Sequence, residues 1–220
     1  MRTDILDVHR FYDSPRGRKA TEFIGARLVE AWGEARGLRL AGFGYASPYL
    51  AAFPHADRRL NLAPGAQGVV RWPLDGPNAS SLIAESRWPL PDAAVDRLIV
   101  AHGLEEARDP ARLLREAWRV LAPDGRLIVI VAHRMGLWSS FGTTPFAAGR
   151  PYSSRQIGAL LDSVMFAQTQ KARALFFPPV RSRLLLRAAV SWERAGARLW
   201  PWLCGVLLIE ASKNVFAPLG

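Results

Sequence analysis

Short apolar runs alternate with amphipathic segments along most of the chain. Apolar positions over residues 17–36 recur at helical spacing, and Gly37 stands where a helix C-cap is expected. Asp109 followed by Pro110 marks the start of another helix, because Asp caps the first turn and Pro fits its first position. The run over 126–132 is continuously apolar and β-branched, which is typical of a strand covered on both faces. The pattern therefore predicts an α/β fold.

The same reasoning gives a complete order of elements. We predict a helix over 17–36, a strand, turn and short helix over 38–53, strands over 58–62, 80–86 and 95–100, a helix over 109–121, a turn at 123–125, a strand over 126–132, a helix over 153–166, a strand over 172–177, a helix over 181–199 and a strand over 205–212. We expect one domain over 1–220, built as a three-layer sandwich. The aperiodic stretch 134–152 is predicted to be a lid-like loop.

Composition excludes several classes of protein. Half of the 220 residues are hydrophobic, with eight Trp and ten Phe, which is the opposite of a disordered chain. The single Cys204 cannot form an internal disulfide, and the four scattered His show no spacing typical of a zinc site, so we expect no metal. No apolar run reaches membrane-spanning length and the N-terminus lacks a signal-peptide core, so we expect a cytoplasmic protein.

The middle of the chain carries short motifs in a fixed order. They are Trp88-Pro89-Leu90-Pro91-Asp92, Val95-Asp96, His102-Gly103-Leu104-Glu105-Glu106, Asp109-Pro110, Arg119-Val120-Leu121 and Pro123-Asp124-Gly125. In this order they resemble the class I S-adenosylmethionine-dependent methyltransferase family, of the small-molecule type, over about residues 38–133. The resemblance implies a Rossmann-like sandwich with a mostly parallel sheet and an antiparallel C-terminal strand. It also implies S-adenosylmethionine as cofactor and methyl transfer to a small molecule, RNA or protein.

Carried over residue by residue, the resemblance gives a set of cofactor-binding candidates. They are Gly42, Phe43, Gly44, Tyr45, Glu85 and His102. Glycines in the turn after the first strand allow close approach of the backbone to the methionine part of the ligand, and a carboxylate after the third strand meets the adenine amine. A tight strand-to-helix turn and a core histidine satisfied by hydrogen bonds are the structural alternatives for Gly42, Gly44 and His102.

Three positions depart from the family pattern. Leu40 stands where the family has an acid before the glycine turn, Ala46 replaces the third glycine, and Asn61-Leu62-Ala63 offers no carboxylate to the ribose hydroxyls. These departures keep a second hypothesis open: a protein of methyltransferase fold that has lost its cofactor and acts as a binding or scaffold module. A small activating protein subunit, as some members of the family need, is a further possible partner.

Catalytic and substrate-binding candidates lie around the predicted lid. His133 ends the apolar strand just before it and is the candidate general base. Trp138, Phe141, Arg150 and Tyr152 would line a substrate pocket if the lid closes, or else pack onto the domain itself. Methyl transfer needs mainly alignment of an already activated donor, so the lack of a catalytic triad does not exclude it.

The basic excess concentrates near the C-terminal end. Formal net charge is +10, and the predicted helix 181–199 is amphipathic. Leu185, Ala188, Trp192, Ala195 and Leu199 share one side, and Arg183, Arg187, Arg194 and Arg198 share another. One hypothesis is a core-packing helix with a solvated Arg face. The other is contact of residues 181–202 with an anionic membrane surface, RNA or an acidic protein, helped by Trp200 and Trp202.

Overall fold

A computed structural model describes residues 2–140, 142 and 144–214, with the side chain of Arg183 excepted. The helices are α1 (Ile5–Asp13), α2 (Pro15–Trp32), α3 (Ser47–Leu50), α4 (Pro110–Val120), α5 (Leu137–Ser140), α6 (Ser154–Asp162), α7 (Arg183–Arg187) and α8 (Ala189–Leu199), with 3-10 turns at Pro145–Ala147 and Pro201–Leu203. The strands are β1 (Arg39–Gly44), β2 (Arg58–Pro64), β3 (Ser80–Ile83), β4 (Val95–Ala101), β5 (Leu121–Ala132), β6 (Phe166–Ala174) and β7 (Val206–Lys213).

The seven strands form one sheet in the order β3-β2-β1-β4-β5-β7-β6. Strands β1 to β5 pair in parallel, and β7 lies antiparallel between β5 and β6. Helices α1, α2, α3 and α7 pack on one face of the sheet, and α4 and α6 pack on the other. One apolar cluster lies between the sheet and each group of helices. The predicted Rossmann-like sandwich with an antiparallel C-terminal strand is therefore confirmed.

Near the N-terminus the main difference from the predictions is helix α1, which the sequence analysis left out. It begins at an Asp4 cap and buries Ile5, Val8, Phe11 and Tyr12. Helix α2 ends at Trp32 with Gly33 as its C-cap, so the predicted end near Gly37 is too late. Glycine suits this cap because its φ of 62° is a conformation that side chains disfavour.

Further along the chain, four boundaries differ. The residues predicted as a turn at 123–125 fall inside β5, beside a register shift between β4 and β5. The helix predicted over 153–166 ends at Asp162, and β6 begins at Phe166, six residues before the predicted strand start at 172. The predicted loop 134–152 contains α5 and a 3-10 turn. The predicted helix 181–199 is broken at Ala188, which has ψ near 0° and caps both α7 and α8.

Candidate active site

The carboxyl ends of the parallel strands meet at one edge of the sheet, where open α/β folds bind their ligands. Gly44 ends β1 with φ of 85°, and a Cβ atom there would collide with the carbonyl oxygen of Ala101. A Cβ atom on Gly42 would collide with the methyl group of Ala46. Local packing alone therefore requires both glycines, and their contact with a ligand stays a prediction.

A network of buried aromatic side chains lies above this turn. The Tyr12 hydroxyl is 2.7 Å from His102 Nε2 and 2.7 Å from the Tyr49 hydroxyl. The Tyr45 ring stacks on Tyr12 with 5.0 Å between centroids, and its hydroxyl is 2.8 Å from His9 Nδ1. Three elements therefore converge on His102: α1 supplies Tyr12, α3 supplies Tyr49, and β4 ends immediately before the histidine.

Burial sets the protonation of this network. It lowers the pKa of His102 to about 4, so the imidazole is neutral at pH 7. It also raises the pKa values of Tyr12, Tyr49 and Tyr45, so their hydroxyls stay protonated. A protein interior tolerates these polar groups because each hydroxyl has a hydrogen-bond partner. His102 and Tyr45, both predicted cofactor residues, are thus brought together with Tyr12 and Tyr49, which the sequence analysis did not single out.

Glu105 is the second titratable group of the site. It lies four residues beyond β4, and its Oε1 accepts a 2.9 Å hydrogen bond from the backbone N–H of Ala132 at the end of β5. Its Oε2 is buried and has no hydrogen-bond partner in the described part of the chain. Burial raises the pKa of this carboxyl to about 7. Burial is the main cause of the raised pKa values of Tyr12 and Tyr49, and the charge of Glu105 adds to it.

Glu85 lies on the far side of the cleft, at the end of β3. Its Oε1 accepts the N–H of Arg108 at 2.9 Å and is 3.2 Å from the guanidinium of Arg2. Arg2 in turn donates to the Gly103 carbonyl oxygen at 3.0 Å, so the segment before α1 bridges the ends of β3 and β4. Glu85 also lines a cavity of about 470 Å³ between the ends of β2 and β3 and the start of α4.

The other predicted residues lie away from this cleft. Phe43 points to the opposite face of β1 and stacks on Trp88, with ring centroids 5.0 Å apart. His133 Nδ1 is 3.3 Å from the Cys204 carbonyl oxygen and 3.4 Å from its sulfur. Burial, and then the charge of Arg173, lower the pKa of His133. His133 thus faces the start of β7, and its role as a base stays a prediction.

The loop between β5 and α6 packs inward. Trp138 is fully buried and its indole N–H donates to the Phe177 carbonyl oxygen at 2.7 Å. The Tyr152 hydroxyl donates to the Leu104 carbonyl oxygen at 3.3 Å. The backbone N–H of Arg150 donates to the backbone carbonyl oxygen of Glu105 at 2.9 Å. Phe141 lies outside the described residues. The loop therefore forms a wall against the site, and acceptor binding by these side chains stays a prediction.

Comparisons with known proteins agree with this geometry. Residues 41–129 match the family model described as a methyltransferase domain. A protein of Mycobacterium tuberculosis and one of Mycobacterium bovis are each 26% identical over 204 residues, covering 88% of this chain and 69% of the relative. An S-adenosylmethionine-dependent methyltransferase from Mesorhizobium loti has a similar structure, with a TM-score of 0.62 and 17% identity over 86% of this chain and 96% of its own.

Over residues 41–129 this chain is thus similar to the methyltransferase-domain family, and its fold is that of solved S-adenosylmethionine-dependent methyltransferases. Two further structures show the range of proteins that share this fold. A methyltransferase from Haloferax volcanii, in complex with the activator Trm112, has a TM-score of 0.57 at 17% identity, covering 89% and 96% of the two chains. The [4+2]-cyclase SpnF has a TM-score of 0.58 at 19% identity, covering 86% and 81%. The family supports methyl transfer in general, but the fold alone does not fix the reaction.

The comparisons support S-adenosylmethionine as cofactor, and polar atoms near the cavity lined by Glu85 are compatible with it. Arg2, which pairs with Glu85, has a buried Nε, and Gln67, next in sequence to the lining residue Ala66, has both amide atoms buried, all without a hydrogen-bond partner among the described residues. Buried polar atoms of this kind call for a polar ligand, and an adenosine group offers an amine, ring nitrogens and hydroxyls. Leu40, in contrast, is buried in the apolar core, and Ala63 and Pro64 end β2 without a carboxylate.

Proposed function

We propose that this protein transfers a methyl group from S-adenosylmethionine to an acceptor at the carboxyl ends of β1, β4 and β5. The observation that carries the proposal is Glu105, a buried carboxyl three residues after His102, with one oxygen that has no hydrogen-bond partner among the described residues. Ionisable groups whose pKa values are strongly shifted by burial cluster at functional sites. A carboxyl that titrates near pH 7 is suited to accept a proton from an acceptor hydroxyl, amine or acid.

Each group then has a distinct part in the proposal. The cofactor supplies an electrophilic methyl group on its sulfonium, so the protein mainly aligns the acceptor and removes a proton. Glu105 in its ionised form takes that proton at Oε2. Tyr12 and His102, both neutral, orient the reactants by hydrogen bonding, and α1 covers the site against water. Glu85, Arg2 and Gln67 hold the nucleoside end, while Gly42, Gly44 and Tyr45 adjoin the methionine end.

Calorimetric titration with S-adenosylmethionine and S-adenosylhomocysteine tests this function. We expect measurable heat and a rise in melting temperature, since a ligand at 100 times its Kd stabilises the folded state by about 2.7 kcal/mol. Glu85→Ala should weaken binding, whereas Glu34→Ala, at an exposed carboxylate paired with Arg36, should not. Absence of heat and of thermal stabilisation at millimolar ligand would contradict the proposal.

The scaffold hypothesis rests on a different observation. Atoms of the protein itself close the space around both glycines of the turn, and Leu40 and Ala63 replace the usual carboxylates. This hypothesis predicts no cofactor binding by the purified chain under any condition. If a small activating subunit is needed instead, cofactor binding should emerge only when that subunit is added. The Haloferax complex makes a small activator a reasonable first protein to add.

The α7–α8 surface supports a contact with anionic lipid. We define it as the exposed side chains of Leu184, Leu185, Arg187, Val190, Trp192, Arg194, Arg198, Leu199, Trp200 and Trp202. The prediction of which side of the 181–199 segment packs in the core is wrong. The buried residues are Leu186, Ala189, Glu193 and Gly196. Leu185, Trp192 and Leu199 therefore face solvent beside the arginines, a combination that favours the interface of a charged membrane.

Vesicle binding separates the partner hypotheses for this surface. Anionic vesicles should shift tryptophan emission to the blue and zwitterionic ones should not, and raising the salt concentration should weaken binding. Binding to RNA without a shift would favour nucleic acid, and binding to neither would leave a solvated helix. The helices in the described part of the chain include none that is both long and apolar enough to cross a bilayer. A cytoplasmic location stays a prediction.

A further inference from the structure

Residues 2–13, which comprise α1 and the short segment before it, cross the edge of the sheet where the parallel strands end. We call them the α1 strap. In the sheet, β2 lies on one side of β1 and β4 on the other, so the strand order changes direction between β1 and β4. Open α/β sheets bind their ligands in the crevice at such a switch point. The α1 strap lies over that crevice.

Side chains at both ends of the α1 strap fix it over the crevice. The Tyr12 ring stacks on Tyr45, which directly follows β1, and the Tyr12 hydroxyl is 2.7 Å from Nε2 of His102, which directly follows β4. At the other end, the guanidinium of Arg2 is 3.2 Å from Oε1 of Glu85. The strap therefore reaches from the candidate adenine carboxylate to the glycine turn. A ligand that lies along the crevice can enter only when the strap moves aside.

Thr3 and Glu106 join the start of the α1 strap to the body of the domain. The backbone N–H and the hydroxyl of Thr3 both donate to Oε1 of Glu106, at 2.7 and 2.9 Å. Hydrogen bonds to an ionised acceptor are stronger than those between neutral groups. Neither residue is assigned above to the cofactor or to catalysis. We call this pair the latch, because it holds the strap closed without contributing to the site.

Ser14 lies at the other end of the α1 strap and is the single residue between α1 and α2. Its backbone is extended, with ψ of 156°. Helix α2 is held in the core by the fully buried side chains of Ala20, Ile24 and Leu28. Helix α1 has nine residues, and so short a helix is marginally stable in water without tertiary contacts. The strap is therefore a unit that can open at Ser14 while α2 stays in place.

We propose that the α1 strap is a gate, which opens at Ser14 to admit the ligand of the crevice and closes again over it. That this ligand is S-adenosylmethionine rests on the proposed function. Opening exposes the buried apolar side chains of Ile5, Val8 and Phe11, so the closed state dominates. The latch is the same with and without a ligand beneath the strap. Weakening it should therefore speed entry and release alike and leave the Kd nearly unchanged.

Stopped-flow measurement of S-adenosylhomocysteine binding to the full chain tests the gate. Glu106→Ala should raise the association and dissociation rate constants about tenfold each and change the Kd by no more than about twofold. Glu106→Gln keeps an oxygen acceptor for Thr3 and should stay closer to wild type. Arg10→Ala is the matched control on the strap itself, because Arg10 is exposed and pairs with Asp7 of the same helix. Its rate constants should equal those of wild type.

Hydrogen–deuterium exchange without any ligand tests the opening itself. The amides of α1 should exchange together and faster than those of α2 around Ile24, because the strap opens as a unit while α2 stays packed. In Glu106→Ala the exchange of α1 should be about tenfold faster than in wild type, with α2 unchanged.

The two measurements separate the gate from the proposed function. Unchanged rate constants in Glu106→Ala, equal acceleration by Arg10→Ala, or a weaker Kd at an unchanged association rate would each overturn the gate. Exchange of α1 as slow as that of α2, in a chain that binds S-adenosylhomocysteine, would overturn the gate and leave the methyltransferase function in place. Faster exchange of α1 in Glu106→Ala, with no binding of S-adenosylhomocysteine to any variant, would support opening of the strap and contradict that function.

Discussion

The sheet edge formed by the carboxyl ends of the parallel strands and the α7–α8 surface differ in which kinds of side chain they bury. At the edge, polar and titratable groups are buried: Tyr12 of α1, Tyr49, His102 and Glu105. At the α7–α8 surface, large apolar groups are exposed, and Trp202 is 57% accessible to solvent. A buried carboxyl and an exposed indole are each unfavourable for the isolated chain. Both regions are therefore where this protein is expected to meet a ligand or partner.

The largest loss of stability should come from removing a buried tryptophan, in contrast to an exposed one such as Trp202. Trp138 is fully buried among Phe11, Phe146 and Phe177, with its N–H bonded to a carbonyl oxygen. Trp138→Ala should lower the free energy of unfolding by about 3–5 kcal/mol, because it leaves a cavity and an unpaired carbonyl. Urea unfolding followed by circular dichroism measures this. A loss below about 1 kcal/mol would mean that the loop is not an integral wall of the site.

Glu105 should make stability fall as pH rises. Its folded pKa of about 7 lies above the ordinary value of 4.5 for a glutamate, so the protonated form is favoured by folding. This contribution is fully present below about pH 4.5 and is lost as pH rises through about 7. Relative to Glu105→Gln, the wild-type protein should lose up to about 3 kcal/mol of unfolding free energy between pH 5 and 9. Parallel pH profiles would contradict the buried carboxyl.

His102→Gln provides the complementary control on the acid side. Folding lowers the pKa of His102 from 6.5 to about 4, so its contribution is lost as pH falls from about 6.5 through 4. The variant should remove a rise in stability between about pH 4 and 6.5, whereas Glu105→Gln should remove a fall in stability between about pH 4.5 and 7. Changes of the same sign in the two variants would show that the groups do not titrate as the structure indicates.

Tyr12→Phe should have an intermediate effect. It removes the hydroxyl shared by His102 and Tyr49 and leaves two buried polar groups without that partner. The expected loss is about 1–3 kcal/mol in unfolding free energy. Tyr45→Phe is the control, because its hydroxyl meets the half-buried His9 and its removal should cost less. Equal losses in the two variants would argue against a coupled network under α1.

The smallest effect on stability belongs to Trp202. Trp202→Ala should change the free energy of unfolding by no more than about 0.5 kcal/mol, because the ring is largely solvated. The same variant should nevertheless weaken binding to anionic vesicles, measured by co-sedimentation, if the α7–α8 surface meets lipid. A large loss of stability would instead show that the ring packs against the domain.

The sequence determined the parts of this protein that depend on local periodicity and on family motifs. Hydrophobic runs located β4 and β5, the Asp109 cap located α4, and the middle motifs indicated the sandwich with its antiparallel last strand. The glycine turn was also found, because only glycine tolerates the backbone approach at that point. These features are encoded by neighbours in sequence, so a single chain suffices to read them.

Tertiary structure decided which side chains share a site. Tyr12 and His102 are 90 residues apart and meet only because α1 lies over the end of β4. The apolar spacing of Ile5, Val8, Phe11 and Tyr12 could have revealed that helix, but no local pattern says where it docks. Likewise the 181–199 pattern predicted a single apolar face for burial, and the break at Ala188 together with the hydrogen bonds from Leu175 and Phe176 to Glu193 selected a different one. Long-range packing and hydrogen bonding, rather than periodicity, made those choices.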